Sequence, residues 1–595
     1  MRSACTQLRN SAAVALRLAA LVAVSMLAVS SQATVLAEEV DPLSLVEPNT
    51  VAVLRINAPK RLVEHPIVRD VVGLLEKSAL REPFLSPLNT PQLTQLKEFL
   101  ELSLQKPWDQ ALEAITADSI VFAAGRKVDG NDPTQLIVTT DSEATANGIR
   151  DALAAAGLAG NGDIQTADYR GLKGFRLKDS YAVFTGRRMI VCSRRGLLEK
   201  LVDRLLDESL RTKWQVPDRL GFGEQASKAA AERPVFEAMF SLEEARKDEK
   251  FAKGLELPTE NILGVLVAGG YVDLLGRAKF VTASLWLEGD AMEFRLRADA
   301  GRTGMRPALI EFFSATDGSV RTRAAGVPGE LLRMAWYRNL WPIYDDGADV
   351  LTATTLEKVR SDSRQQSDSG FIGGLKFLET TSGRQRLYVT TPEEHGYRDE
   401  PEKRLPGAGW AISLRDEAAF REKCFKQFVT LIKSPVASGA GVVLEEQHGG
   451  ATIYRLKFHR QIAEKQQGQF KHMLTNYDPA VAVANGEFLL ATNASLLKKM
   501  IDAGVRSPES ADSRAAAPNA GEDVVDLVAV AGFLGTTYRD DLSSDMVLKQ
   551  GLSLDEAREE VQRLLDVVQR LGRVERRTML NDDLFEISHR VGGRK

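Results

Sequence analysis

The chain contains the same pattern of strands and a helix twice, and this repeat limits its possible folds more than any other feature. The first copy, residues 169–203, contains YRGLKGFRL and then YAVFTGRRMIVCSRRGLLEKLVD. The second copy, residues 448–502, contains HGGATIYRL and then VAVANGEFLLATNASLLKKMID. Each copy predicts two strands, a turn centred on glycine, a third strand and an amphipathic helix. A pattern that occurs twice predicts one unit built twice.

Three further blocks match in the same order along the chain. Each half opens with a proline before a strand, at Pro48 and at Pro328. A strand followed by a helix comes next, in PTQLIVTTDSEATANGIRDALAAAG and in AGWAISLRDEAAFREKCFKQFVTLIKS. Each half ends in a hairpin, in AKFVTASLWLEGDAMEFRLRA and in VERRTMLNDDLFEISHRV. We therefore predict an α+β fold, a tandem duplication of an α/β unit with mainly antiparallel sheets and amphipathic helices packed on them.

The length of 595 residues also calls for more than one core, because single hydrophobic cores stop growing at roughly 250–300 residues. We predict half A over residues 44–300, a linker over 301–326 and half B over 327–592. Within half B, residues 507–522 (SPESADSRAAAPNAGE) are rich in Ala, Ser and Pro. This composition predicts a flexible segment.

The N-terminus has the parts of a secretory signal peptide. Three arginines precede an apolar run over Leu18–Val29: Arg2, Arg9 and Arg17. No acidic residue occurs before Glu38, and small residues allow cleavage after Ala33 or Ala37, of which we favour Ala37. We predict a signal peptide over residues 1–37 and a periplasmic or extracellular location, with an uncleaved N-terminal anchor as the alternative.

The charge of the exported part argues against nucleic acid as a partner. Residues 1–37 contain three arginines and no acidic residue, so their removal takes the formal charge from −4 to −7. A mildly acidic protein has no overall attraction for nucleic acid. No second run of about 18 apolar residues occurs, so we predict no transmembrane segment in the mature chain.

Motifs for catalysis and cofactor binding are missing from the sequence. It lacks GxGxxG, GxxxxGK[ST], HExxH, CxxC and GxSxG. These patterns place glycines, ligands or a nucleophile where phosphates, metals or acyl groups need them. The sequence therefore predicts no catalytic residues, no cofactor and no metal. Cys192 and Cys424 lie in different halves, and we expect both to be buried thiols.

Two weaker patterns leave an enzyme open as an alternative. Four histidines fall between residues 395 and 472, with Glu445 and Glu446 close to one of them: His395, His448, His459 and His472. We interpret them as surface histidines rather than as a metal site. Ser369 lies in SDSG, which resembles a serine-protease nucleophile loop, but the polar run around it favours an insertion.

Two other features suit binding. MAWYRNLWPIYDD contains a cluster of aromatic residues, Trp336, Tyr337, Trp341 and Tyr344. Exposed, the cluster would stack on sugar rings or anchor a partner, but its apolar neighbours favour a core strand. Four arginines flank the strand MIVCS, and we interpret them as a solvated hairpin end rather than a polyanion patch: Arg187, Arg188, Arg194 and Arg195.

The segment EPNTVAVLR after the signal peptide and the two hairpin–helix units resemble a group of exported bacterial proteins that share a domain of unknown function. The resemblance implies export and a repeated α+β fold, and it assigns no site residues. Our leading hypothesis is a non-catalytic binding or assembly factor of the cell envelope, acting on an envelope protein or polymer. The alternatives are a hydrolase with a site built from loops of both halves, around Glu445–His448, and a purely structural envelope component.

Overall fold

The computed structural model describes thirteen stretches of the chain, and the fold is α+β, as predicted. They are residues 40–75, 91–126, 133–158, 164–177, 180–223, 233–313, 326–368, 375–392, 401, 403–437, 439–465, 468–506 and 519–593. The chain divides into two compact units. Unit 1 contains the chain up to Leu255 together with Leu275–Asp299, and unit 2 contains Glu256–Leu274 together with the chain from Ala300 onward.

Unit 1 contains a ten-stranded sheet. Its strands are β1 Thr50–Asn57, β2 Ser119–Gly125, β3 Thr134–Thr139, β4 Ile164–Tyr169, β5 Leu172–Leu177, β6 Ser180–Thr185, β7 Arg188–Cys192, β8 Phe236–Ser241, β9 Phe280–Glu288 and β10 Ala291–Ala298. Their order across the sheet is β4-β5-β6-β7-β3-β2-β1-β8-β9-β10, and each neighbouring pair is antiparallel.

Unit 2 repeats this sheet strand for strand. Its strands are β11 Glu330–Tyr337, β12 Thr381–Thr390, β13 Gly407–Leu414, β14 Gly441–His448, β15 Ala451–Phe458, β16 Ala480–Ala484, β17 Glu487–Ala491, β18 Asn519–Asp526, β19 Arg573–Leu580 and β20 Phe585–Gly592. Their order is β14-β15-β16-β17-β13-β12-β11-β18-β19-β20. Adding ten to each strand number of unit 1 gives this order, so the tandem duplication is a property of the fold.

The helices of unit 1 lie on both sides of its sheet. They are α1 Pro59–Glu64, α2 Pro66–Leu75, α3 Pro91–Leu104, α4 Trp108–Thr116, α5 Glu143–Leu158, α6 Arg195–Leu206, α7 Leu242–Ala245 and α8 Glu249–Lys253. Leu198, Leu201 and Val202 of α6 pack in one cluster with Ile137 and Ile190 of the sheet. A second cluster joins α3, α4 and α5 to the opposite face. The i, i+3, i+4 spacing of apolar residues on α6 therefore covers one face of the sheet, as its sequence predicts.

Unit 2 has the same layers. Its helices are α9 Ile262–Arg277 (through Leu274), α10 Pro307–Phe313, α11 Trp341–Asp346, α12 Ala353–Asp368, α13 Leu375–Thr380, α14 Glu417–Phe420, α15 Lys426–Ala437, α16 Arg460–Lys465, α17 Gly468–Asn476, α18 Ala494–Arg506, α19 Leu527–Thr537, α20 Arg539–Gln550 and α21 Leu554–Arg570. A five-residue π-turn, Arg421–Phe425, joins α14 to α15. Leu497 and Met500 of α18 pack with Leu489 on one face, and Phe420 and Phe425 pack with Phe488 on the other.

The two equivalent hairpins use different tight turns. Thr185 pairs with Arg188 around Gly186-Arg187, and Ala484 pairs with Glu487 around Asn485-Gly486. Both Asn485 and Gly486 have positive φ, of 53° and 72°, which is the type I′ geometry that Asn-Gly predicts. In the unit 1 turn only the first central residue, Gly186, has positive φ, which fits type II′.

Several segments differ from the sequence interpretation. Residues 307–313 of the predicted linker form α10, which buries Phe312 and Phe313. Residues 519–522 of the predicted flexible segment form the start of β18, and residues 507–518 lie outside the described part. The helices α16 and α17 stand between β15 and β16, where unit 1 passes from β5 to β6.

The predicted signal peptide, residues 1–37, also lies outside the described residues. The boundaries of the two halves stay predictions. Within the described stretches, no helix is both long enough and apolar enough to cross a membrane.

Candidate functional site

The duplication allows each position of unit 2 to be compared with its counterpart in unit 1. One row of directly paired residues crosses seven strands of unit 2: Leu490, Trp410, Leu387, Met334, Asp523, Arg576 and His589. The corresponding row of unit 1 is Val191, Leu136, Phe122, Leu54, Ala238, Ala283 and Leu296. Met334 and Leu54 are each the sixth residue after the proline that opens their half. The two rows therefore occupy equivalent places.

The two rows differ in polarity at three consecutive strands. Unit 1 has only apolar side chains, whereas unit 2 has Asp523, Arg576 and His589 on β18, β19 and β20. Directly paired residues of antiparallel strands point to the same face of a sheet. The fold of unit 1 forms without charges in this row, so folding does not account for the three polar side chains of unit 2.

Asp523 holds Arg576 in place. The guanidinium Nη2 of Arg576 lies 2.6 Å from Oδ2 of Asp523, and the side chains are 44% and 13% exposed. The other carboxylate oxygen of Asp523, Oδ1, is buried and has no hydrogen-bond partner among the residues that the structure describes. Burial raises the pKa of Asp523, and the charge of Arg576 opposes this rise. The accessible charge of the pair is therefore that of the guanidinium.

His589 lies beside Arg576, on the neighbouring strand β20. Its side chain is half-buried. Burial and the positive charge of Arg576 both lower the pKa of His589. The imidazole is therefore neutral at neutral pH, and a neutral imidazole offers one hydrogen-bond donor and one acceptor.

A second arginine adds positive charge near this end of the row. Burial lowers the pKa of Arg338, a hydrogen bond to Tyr271 raises it, and the nearby charge of Arg576 lowers it. The guanidinium carbon of Arg338 lies 4.1 Å from the ring centroid of Phe313, within the range of a cation–π contact. Arg338 and Arg576 therefore both bring positive charge to this end of the row.

The other end of the row is apolar. Trp410 is 37% exposed, and Leu387 and Met334 are half-buried. Apolar side chains flank the row on the same face, two residues away along the strands: Leu332, Trp336, Val389, Val525, Val574, Val591 and Ile587. On β11, the alternate residues Arg333, Ala335 and Tyr337 are buried on the opposite face.

We call the residues Trp410, Leu387, Met334, Asp523, Arg576 and His589 the amphipathic strip. Its five strand intervals of about 4.8 Å give it a length of about 24 Å. Guanidinium N–H groups bind planar anions, and half-buried apolar side chains bind apolar groups. The strip is therefore suited to bind a molecule that has a planar anionic group and an apolar group.

The Glu445–His448 neighbourhood has another explanation. Nε2 of His448 lies 2.9 Å from Oδ1 of Asp502, which joins the end of β14 to α18. In unit 1 the hydroxyl of Tyr169, at the end of β4, donates to Oδ1 of Asp203 on α6 at 3.2 Å. Since a tyrosine makes the equivalent contact, the bond of His448 is a structural link between a hairpin and a helix. Nζ of Lys433 lies 3.1 Å from Oε1 of Glu445, and Nζ of Lys498 lies 3.0 Å from Oε2 of Glu446.

The remaining histidines do not form a metal site within the described residues. His459 is exposed, His472 is half-buried, and His395 lies outside the described part of the chain, as does Ser369. No group of three or more His, Cys, Asp and Glu side chains in that part is placed to hold a metal ion.

The structure separates the predicted aromatic cluster. Trp336 lies on the face of the amphipathic strip, whereas Tyr337 is buried on the opposite face. Trp341 and Tyr344 lie on α11, with ring centroids 5.7 Å apart. The cluster supplies only Trp336 to the apolar surface, and Trp410 comes from a strand that sequence reasoning did not select.

The four arginines of unit 1 have mixed roles, so a solvated hairpin end describes them only in part. Arg188 is buried and donates to the carbonyl oxygen of Val40. Nη2 of Arg187 lies 3.3 Å from Oδ2 of Asp118, and Nε of Arg195 lies 2.8 Å from Oε1 of Glu199.

The cysteine prediction is confirmed. Cys192 and Cys424 are both buried and free. Burial raises the pKa of Cys192 to about 12 and raises that of Cys424. Both side chains are therefore thiols at neutral pH and poor nucleophiles.

Comparisons with known proteins find weak matches among solved structures alone. Neither protein families nor curated proteins give a match. Among solved structures, crystal forms IV, III and I of TP0453 align with 10% identity and TM-scores of 0.26, 0.24 and 0.23. They cover 48%, 48% and 46% of this chain and 89%, 90% and 83% of theirs. Scores this low carry no inference about fold or function.

Proposed function

We propose that the protein is an exported, non-catalytic binding protein of the cell envelope, and that its ligand lies on the amphipathic strip of unit 2. The observation that carries the proposal is the comparison of the two rows. Unit 1 is apolar where unit 2 has Asp523, Arg576 and His589. A charged group held at a half-buried position that the fold leaves apolar elsewhere is a feature of binding sites.

Export is supported by the basic and apolar segments within residues 1–37. The absence of catalytic motifs from the sequence and the structural contact of His448 support a role without turnover. The resemblance to exported bacterial proteins of unknown function agrees with export. We therefore extend the binding hypothesis to a definite surface, and the hydrolase with a site built from loops of both halves stays the alternative.

The apolar end of the strip gives the first test. We expect the neutral dye Nile red to bind the purified protein with a rise in fluorescence, because Trp410, Leu387 and Met334 form an apolar surface. Trp410→Ser is expected to weaken this binding about tenfold, since burying an aromatic side chain contributes roughly 1–2 kcal/mol.

The matched control is Trp341→Ser, which changes another half-buried tryptophan of unit 2 on α11, outside the strip. Equal dye binding by the wild-type protein and the Trp410 variant would show that the dye does not bind at Trp410 and would overturn the proposal. Turnover of an envelope substrate by the purified protein would contradict the non-catalytic role.

A further inference from the structure

We infer that the ligand of the strip is a soluble amphiphile with an apolar chain and a carboxylate headgroup, of the long-chain fatty acid class. This inference rests on the proposed function and adds the chemical class of the ligand. It follows from the order of side chains along the row, from Trp410 through Met334 to Arg576.

The headgroup is assigned by charge and geometry. The guanidinium of Arg576 has five N–H donors in a planar fork, and Asp523 contacts one of its nitrogens, at 2.6 Å. Such a fork fits the two oxygens of a carboxylate. Arg576 carries the accessible positive charge of its pair with Asp523, and Arg338 adds positive charge nearby, so an anionic headgroup is favoured.

The surroundings strengthen this contact. Asp523, Arg576 and His589 have three valines on one side along their strands, Val525, Val574 and Val591. On the other side lie Gly521, Thr578 and Ile587. An anion that reaches Arg576, whose side chain is 44% exposed, therefore has apolar side chains beside it. Charge-assisted hydrogen bonds are stronger in such surroundings than in water.

The chain of the ligand is assigned to the apolar half of the strip. Met334 and Arg576 are two strand intervals apart, about 10 Å. A headgroup at Arg576 thus lets an extended chain run across Met334 and Leu387 to Trp410. A polar ligand would leave these apolar side chains without a complementary surface.

A membrane surface is a poorer fit than a single molecule. Leu387, Met334 and His589 are half-buried, whereas Trp410 and Arg576 are exposed. Insertion into a bilayer needs broadly exposed apolar side chains, whereas a single chain can lie along half-buried ones. We therefore commit to a free amphiphile.

The test is isothermal titration of the purified protein with dodecanoate below its micelle concentration. Dodecyltrimethylammonium, which has the same chain and a cationic headgroup, is the comparison ligand. We expect dodecanoate to bind and the cation to bind more weakly. Arg576→Gln is expected to weaken dodecanoate binding by about ten- to a hundredfold, because it removes a charged donor.

The control variant is Arg577→Gln. Arg577 is the next residue of β19 and points to the opposite face, and its side chain is 50% exposed. We expect this variant to bind like the wild-type protein. Arg576→Lys keeps the charge next to Asp523 but loses the planar fork of N–H donors. We expect this variant to lose less affinity for dodecanoate than Arg576→Gln does, which a folding defect would not explain.

The outcomes separate the ligand class from the proposed function. Equal binding of both probes, or no effect of Arg576→Gln, would overturn the carboxylate assignment while Trp410-dependent binding of Nile red still supports the function. Binding to phosphatidylglycerol vesicles without binding to dodecanoate would overturn the free amphiphile in favour of a membrane surface. If Nile red binding does not depend on Trp410, the proposed function fails as well.

Discussion

We expect His589 to make the free energy of unfolding depend on pH. The folded chain holds the pKa of His589 below its ordinary value of 6.5, because burial and the charge of Arg576 disfavour the protonated ring. Asp523 lies one strand beyond Arg576, and Arg338 lies near Arg576. The unfolded chain therefore takes up this proton before the folded chain does.

We expect the contribution of His589 to stability to be intact above about pH 6.5 and to be lost as the pH falls through the folded pKa. His589→Gln removes this proton uptake and should flatten the acid side of the profile. Urea unfolding at about pH 7.5 and about pH 5.5 measures the difference. His459→Gln, at an exposed histidine, is the control. A steeper acid loss in the His589 variant than in the wild-type protein would contradict the sign.

At the scale of elements, the contact between hairpin and helix is kept in both units while its residues change. His448 and Asp502 join β14 to α18, and Tyr169 and Asp203 join β4 to α6. The same two elements thus need a hydrogen bond at the same place. The contact requires a side chain long enough to donate to the aspartate, and both histidine and tyrosine meet this requirement.

We therefore expect His448→Tyr to change the free energy of unfolding by less than about 0.5 kcal/mol. His448→Ala should lower it by about 1 kcal/mol, because the bond to Asp502 is lost. Urea unfolding of the two variants measures both values. If tyrosine destabilises unit 2 as much as alanine does, the two contacts are not equivalent.

The elements were largely predictable from the sequence, because each depends on local patterns. Asn485-Gly486 predicts a type I′ turn and forms one. The stripe of Leu496, Leu497, Met500 and Ile501 predicts the buried face of α18, and all four are buried. Helix α10 was not predicted, because the surrounding residues 301–326 are rich in Gly, Thr and Arg.

The amphipathic strip was not predictable in the same way. Its side chains come from six strands, and Met334 and His589 are 255 residues apart in sequence. Only the register of the sheet places Arg576 between Asp523 and His589. The mixed charges of VERRTML also weaken the alternation that would assign each side chain of β19 to a face. The sequence does not show that β18 pairs with β11 and β19, because helical segments separate these strands along the chain.

At the scale of the whole molecule, the duplication separates what the fold needs from what unit 2 has added. Both units pair ten strands in the same order, so the unit 1 row is a natural control for the unit 2 row. The triple variant D523A/R576A/H589L gives unit 2 the residues of Ala238, Ala283 and Leu296. Replacing a partly buried ion pair by apolar side chains is often neutral or stabilising.

We expect the triple variant to match or exceed the wild-type free energy of unfolding, by up to about 2 kcal/mol. Arg576→Ala alone should lower that energy by about 1–2 kcal/mol, because it leaves the carboxylate of Asp523 buried without its partner. Urea unfolding measures the stabilities, and titration with dodecanoate should show that both variants have lost binding. A triple variant less stable than Arg576→Ala would mean that unit 2 needs these charges to fold. A stable triple variant without binding would show that Asp523, Arg576 and His589 are kept for the ligand at a cost in stability.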